Sequence, residues 1–157
     1  QRSIASCNEN VYVLNDASAR MMATEKIQNF TYPLENDLEN LLSMSNKQGI
    51  VPLYFYPELF YSRMPVSQQS ESTVVADETN KKFRTAVMDG ITIVYPSIPV
   101  SLIHYRKQLE KNGFSRFLID YSGEIMTANV VKRILKKFID SEAVQPSTNF
   151  NFKLGLK

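Results

Sequence analysis

Cysteine and histidine are almost missing from this sequence: Cys7 and His104 are the only ones in 157 residues. A single thiol excludes an internal disulfide and points to a reducing compartment, so a cytoplasmic location is expected. The same scarcity excludes the four-ligand Cys/His sets of structural zinc and iron–sulfur sites. No cofactor is therefore expected within this chain, although a carboxylate metal site stays conceivable. Long hydrophobic runs are missing too. No stretch approaches the roughly 20 apolar residues of a membrane-spanning helix, and the opening QRSIASCNEN lacks the apolar region of a secretory signal, so no membrane partner is expected. A first residue other than Met is compatible with a chain cut from something longer. A glycine-rich phosphate loop, HExxH, GxSxG and CxxC are all absent, which disfavours the enzyme classes that short motifs announce.

What is present describes a folding domain. The hydrophobic fraction is 43% and the charged fraction 22%, values of a globular chain rather than a disordered or fibrous one. A chain of this length can bury roughly 68–70% of its unfolded surface. Charge is unevenly placed. Residues 1–79 hold five Lys/Arg against ten Asp/Glu, whereas residues 80–157 hold thirteen against six. A basic C-terminal half can attract RNA; it can equally attract the acidic half or another part of the same protein.

Periodicity predicts an α/β order. Residues 11–14 read as a strand, followed by a helix to Lys26 with Asp16 as its N-cap. Residues 30–34 read as a second strand. Asn36 and Glu39 have the spacing of a capping box opening a helix that Gly49 ends. The continuous apolar run 51–56 has the look of a strand covered on both faces. Residues 67–82 are polar, with 74–76 strand-like. Residues 83–86 and 91–95 flank Asp89-Gly90, a tight-turn pair that predicts a hairpin. Ser101 can cap a helix ending before Gly113, residues 116–120 read as a strand, and Val130, Val131, Ile134, Leu135, Phe138 and Ile139 recur at helical spacing in a last helix. The expected architecture is a βαβαβ half of a TIM-like barrel over 1–66, a polar loop or insertion over 67–82, and a hairpin with a βα unit over 83–157.

In parallel α/β folds, sites are built on loops at the carboxyl ends of strands. Glu35 sits at such an end, where a carboxylate can act as base, ligand or substrate anchor, or else stabilise the following helix N-terminus. Arg63 is the only basic residue of a long aromatic stretch and can clamp an anion, or stack on tyrosines and pair with a carboxylate. Asn15, Tyr56 and Asp120 occupy comparable strand-end positions and are candidate substrate-binding residues, Asp120 also fitting a turn or cap. Tyr54, Phe55, Tyr56, Phe60 and Tyr61 can stack bases or fill a core. Nothing places Cys7 beside His104 as nucleophile and base, and the Lys132, Arg133, Lys136, Lys137 stripe fits a solvated helix face.

Read in order, YVLND, YPLEND, PLYFYPELFYSRMPV, GITIVYPSIPVSL and FLIDYS resemble the collagenase-like peptidase family of unassigned catalytic type. The likeness runs from about Val11 to Leu156, and the closing Phe150-Asn151-Phe152-Lys153 segment resembles the end of that family's module. It implies the C-terminal half of a barrel-based hydrolase acting on peptide or protein, with Glu35 and Arg63 as catalytic candidates. The site would be completed by an N-terminal half of the same protein. Some relatives hydroxylate RNA bases or quinone rings, which implies the alternative of an RNA-modification or RNA-binding module. Those relatives carry a cysteine set for an iron–sulfur cluster; here the segment after Arg63 holds SQQSES, so this chain alone cannot hold one.

Overall fold

The structure is a computed structural model, described here for residues 6–63 and 72–153. It is mixed α/β, as expected, and among the described residues no sheet closes into a barrel. The chain gathers into two compact units: residues up to Phe55 together with those from Val100 onward, and Tyr56–Pro99 between them. The described part of the polar segment 67–82 belongs to the second unit.

The first unit is organised by β3 (Val51–Phe55), whose five residues are all buried, as the unbroken apolar run requires. Strand β1 (Ser6–Cys7) pairs in parallel with β2 (Asn29–Phe30). A parallel bridge from Thr31 to Ile50 carries that line onto β3, and β9 (Phe117–Ile119) pairs with β3 in parallel on its other edge. The parallel strands thus lie in the consecutive order β1, β2, β3, β9. The β3–β9 register slips between Pro52 and Tyr54; Pro52 has no N–H to give the ladder, so an irregularity there leaves no donor unpaired. Short β8 (Val100–Ser101) runs antiparallel to the end of β3.

The helices α1 (Asp16–Thr24) and α2 (Leu38–Ser43) follow β1 and β2, and α3 (Arg106–Lys111) and α4 (Ala128–Asp140) flank β9 in sequence. The starts of α1, α2 and α3 differ from expectation by one residue or more. Asn15, not Asp16, caps α1 in a reciprocal box with Ser18. The Asp16 carboxylate instead accepts from the Ser45 and Asn46 amides at 2.9 and 2.8 Å. Asp37, not Asn36, caps α2; the Asn36 side-chain oxygen accepts from the Asn40 side-chain NH2, so no capping box with Glu39 forms. Ser101 lies in β8 and its hydroxyl accepts from the Val144 amide, and the helix it was expected to cap begins as a 3-10 turn over Ile103–Tyr105.

The largest departure is at 11–14. No strand forms there: Asn8 caps a 3-10 turn over Glu9–Val11, and Tyr12 then adopts a left-handed conformation at φ 52°. Only Val13 of this stretch points into the core. In α4, Val130, Ile134 and Phe138 pack against the core. Leu135 and Ile139 are exposed, so the apolar stripe is narrower than the periodicity suggested. Among the described residues no helix is long and apolar enough to cross a membrane.

The second unit is an antiparallel sheet in the order β4 (Phe60–Ser62), β7 (Ile91–Pro96), β6 (Lys82–Met88), β5 (Ser72–Ala76). The expected hairpin is β6–β7. Its turn places Asp89 at φ 50° and Gly90 at φ 75°, the pair of positive angles that an Asp-Gly hairpin turn adopts.

Two stability tests follow from the first unit. A Cβ on buried Gly49 would come within 2.5 Å of the Tyr32 ring and closer still to Phe30. Gly49→Ala should therefore cost about 1–3 kcal/mol in chemical denaturation, as overpacking does; an unchanged midpoint would refute this packing. The Asp16 carboxylate is held below its usual pKa, first by the Asn46 amide and then by the Ser45 amide. A depressed carboxyl stabilises above its unfolded pKa, and the effect fades as pH falls through the folded one. Asp16→Asn should melt below wild type at pH 7, with the gap closing below pH 3.8. A gap of constant size across pH would count against the role of this charge.

Candidate functional site

The carboxyl ends of the parallel strands are where an open α/β sheet builds its sites, and at these ends of β1, β2, β3 and β9 lie two phenol–carboxylate pairs. After β2 the chain turns at Pro33, where the Asn36 amide donates to the Pro33 carbonyl, and half-buried Glu35 lies in that turn. Its Oε1 accepts from the Tyr12 hydroxyl at 3.3 Å. The left-handed backbone at Tyr12 is therefore what delivers this phenol to Glu35. The Glu35 charge, with a smaller contribution from partial burial, raises the Tyr12 pKa above 10.0, because ionising the phenol would set two negative charges side by side.

The second pair joins β3 to the segment after β9. Tyr54 is fully buried, and its hydroxyl donates to Glu124 Oε1. The β3–β9 ladder runs up to this point, since the Asp120 amide donates to the Tyr54 carbonyl at 2.7 Å. The Asp120 carboxylate accepts from the Ser122 amide at 2.8 Å, closing an Asx-turn. A second turn follows, in which the Glu124 amide donates to the Tyr121 carbonyl. These two turns carry Glu124 back over Tyr54.

Asn15 and Tyr56, two other predicted residues, have structural partners. The Asn15 side chain accepts from the Ser18 amide at 2.9 Å as the α1 cap. Tyr56 and Arg63 belong to the second unit, so the two catalytic candidates, Glu35 and Arg63, come from different units. Tyr56 lies beneath the Arg84 guanidinium at 4.3 Å, and Arg63 is exposed. In the same unit the Glu58 carboxylate accepts from the hydroxyls of Tyr61 and Tyr95. The Tyr95 pKa is pushed up to about 12, by burial first and by the Glu58 hydrogen bond and charge next.

Among the described residues no group of three or more His, Cys, Asp or Glu side chains is placed to hold a metal ion. His104 stacks on Tyr105 at 4.1 Å, and Cys7 lies half-buried in β1.

Tyr12, Tyr54 and Glu124 escaped the sequence reading. The first two were counted as strand and core aromatics, and Glu124 lies beyond FLIDYS with no periodicity to mark it. The available signal was phenols near strands followed by carboxylates in turns, which is common in ordinary sequences.

Comparison with known proteins gave no match: no family model, no curated protein and no solved structure is similar to this chain.

The Tyr12–Glu35 pair can be tested by titration. Glu35→Gln removes the charge that raises Tyr12, so one tyrosine should ionise at lower pH than in wild type, moving towards 10.0. Phenolate absorbance reads this directly, with Tyr12→Phe identifying the affected residue. Identical titration curves for wild type and Glu35→Gln would show that the pair does not form.

Proposed function

We propose that this chain is the C-terminal part of a hydrolase of the collagenase-like peptidase type, its site completed by an N-terminal half of the same protein. The observation that supports the reading most is the parallel series β1, β2, β3, β9, open among the described residues, with Glu35 and Glu124 at its carboxyl ends, each accepting from a tyrosine. In such a site a carboxylate takes a proton from water as the water attacks a peptide carbonyl. Glu35 is the assigned base, since it is half-buried and, among the described residues, one phenol donates to it. Asn15 and Asp120 remain the substrate-binding assignments within the first unit, and Tyr56, with Arg63 as an anion clamp, those within the second.

A second reading is an RNA-modification or RNA-binding module. It is favoured by Lys132, Arg133 and Lys136, which stand exposed along α4. Phosphate contacts weaken steeply with salt, so no RNA binding at low ionic strength would end it.

The peptidase reading is tested in the full-length protein with Glu35→Gln and Arg63→Ala. Loss of a general base typically costs about 10²–10⁴-fold in rate, so kcat for peptide hydrolysis should fall in that range for Glu35→Gln. Arg63→Ala should mainly raise KM. Two folded variants with unchanged kinetics would withdraw both assignments.

A further inference from the structure

At the opposite, amino ends of the same strands lies a cleft of about 700 Å³, within the roughly 300–1,000 Å³ of small-molecule sites. The turns leading into β2, β3 and β9 line it, and each turn brings a cation: Lys26, Lys47 and Arg116. Among the described residues no carboxylate lines it. Asp16 is the acid whose field reaches Lys47, but its oxygens accept from the Ser45 and Asn46 amides.

Two of the three cations are fixed in place before any ligand arrives. Lys47 Nζ donates to the Leu41 and Leu42 carbonyls at 2.8 and 2.9 Å and sits 4.6 Å from the centre of the Phe114 ring. Arg116 donates to the Gln48 carbonyl at 3.2 Å and to Asn29 Oδ1 at 2.7 Å. An ammonium has three N–H donors and a guanidinium five, so each keeps donors beyond those bonds. Held in this way, they lose little side-chain freedom on binding. Partial burial also lowers the Lys47 pKa, and a nearby anion would reverse that effect. Lys26 is exposed, and the Ser115 side chain adds a hydroxyl to the lining.

The geometry points to a binding site for a small phosphoryl-bearing ligand at this cleft, with Lys26, Lys47 and Arg116 as its charge partners. It stands apart from the carboxyl-end reading above and does not depend on it.

The test is calorimetric titration of the 157-residue chain with inorganic pyrophosphate at low and at physiological salt. Arg116 and Lys47 also tie turns together, so the variants are Lys26→Glu and Ser115→Glu, which remove no side-chain hydrogen bond described here. Saturable binding is expected, weaker at higher salt. Each variant should weaken it by about tenfold or more, the scale of one charge-assisted contact, with the melting temperature unchanged. Absence of binding, or binding that both folded variants leave intact, would overturn the proposal. A single-stranded RNA oligonucleotide that binds where pyrophosphate does not would also overturn it, by assigning the cleft to a nucleic-acid backbone.

Discussion

The first unit depends on the complete burial of β3. A strand with no exposed residue must satisfy its backbone on both edges, because an orphaned buried amide or carbonyl costs about as much as a lost hydrogen bond. One edge of β3 and of Ile50 before it is met by the β2 line and then by β8; the other is met by β9. Three separate stretches of chain are thereby fixed around residues 50–55, and Pro52 removes the one donor that the slipped ladder would otherwise leave over. The Leu102 amide, donating to the Leu53 carbonyl, continues this arrangement beyond β8.

Because β3 fixes those stretches, it also fixes which chemistry appears at each end of the sheet. Chain leaving the carboxyl ends carries Glu35 and Glu124, each meeting a phenol. Chain entering the amino ends carries Lys47 and Arg116, each meeting carbonyls. The carboxyl ends thus hold two carboxylates and the amino ends two cations, within a chain whose sequence is acidic in one half and basic in the other.

Much of this architecture was legible in the sequence, because long-period signals report burial. The apolar run of β3 and the helical spacing of α4 are of this kind, and the Asp-Gly turn of the β6–β7 hairpin was legible for a different reason, the positive φ angles that this pair accepts. Short-range detail was less legible. At 11–14 a β-branched and aromatic composition suggested a strand, but Asn8 and the left-handed Tyr12 turn the chain before one can form. Neighbouring Asn and Asp residues compete for the same cap, so Asn15 and Asp37 took the roles that Asp16 and Asn36 were expected to fill. The freed Asp16 found amides some thirty positions away, which local spacing cannot reveal. Of the site, Glu35 could be placed at a strand end, whereas its partner Tyr12 comes from a different turn and has no local mark.

The second unit leaves and rejoins the first through adjoining residues of one ladder, since Phe55 and Val100 are register partners between β3 and β8. Chain exit and re-entry are thus about one strand spacing apart. The first unit closes that gap with its own hydrogen bonds, whatever length of polypeptide lies between, and the cost of a longer excursion grows only slowly with its length. The Tyr56–Pro99 segment behaves topologically as a hairpin loop enlarged into a sheet, a place where sequence can be gained, lost or exchanged without altering the register of the strands that carry it.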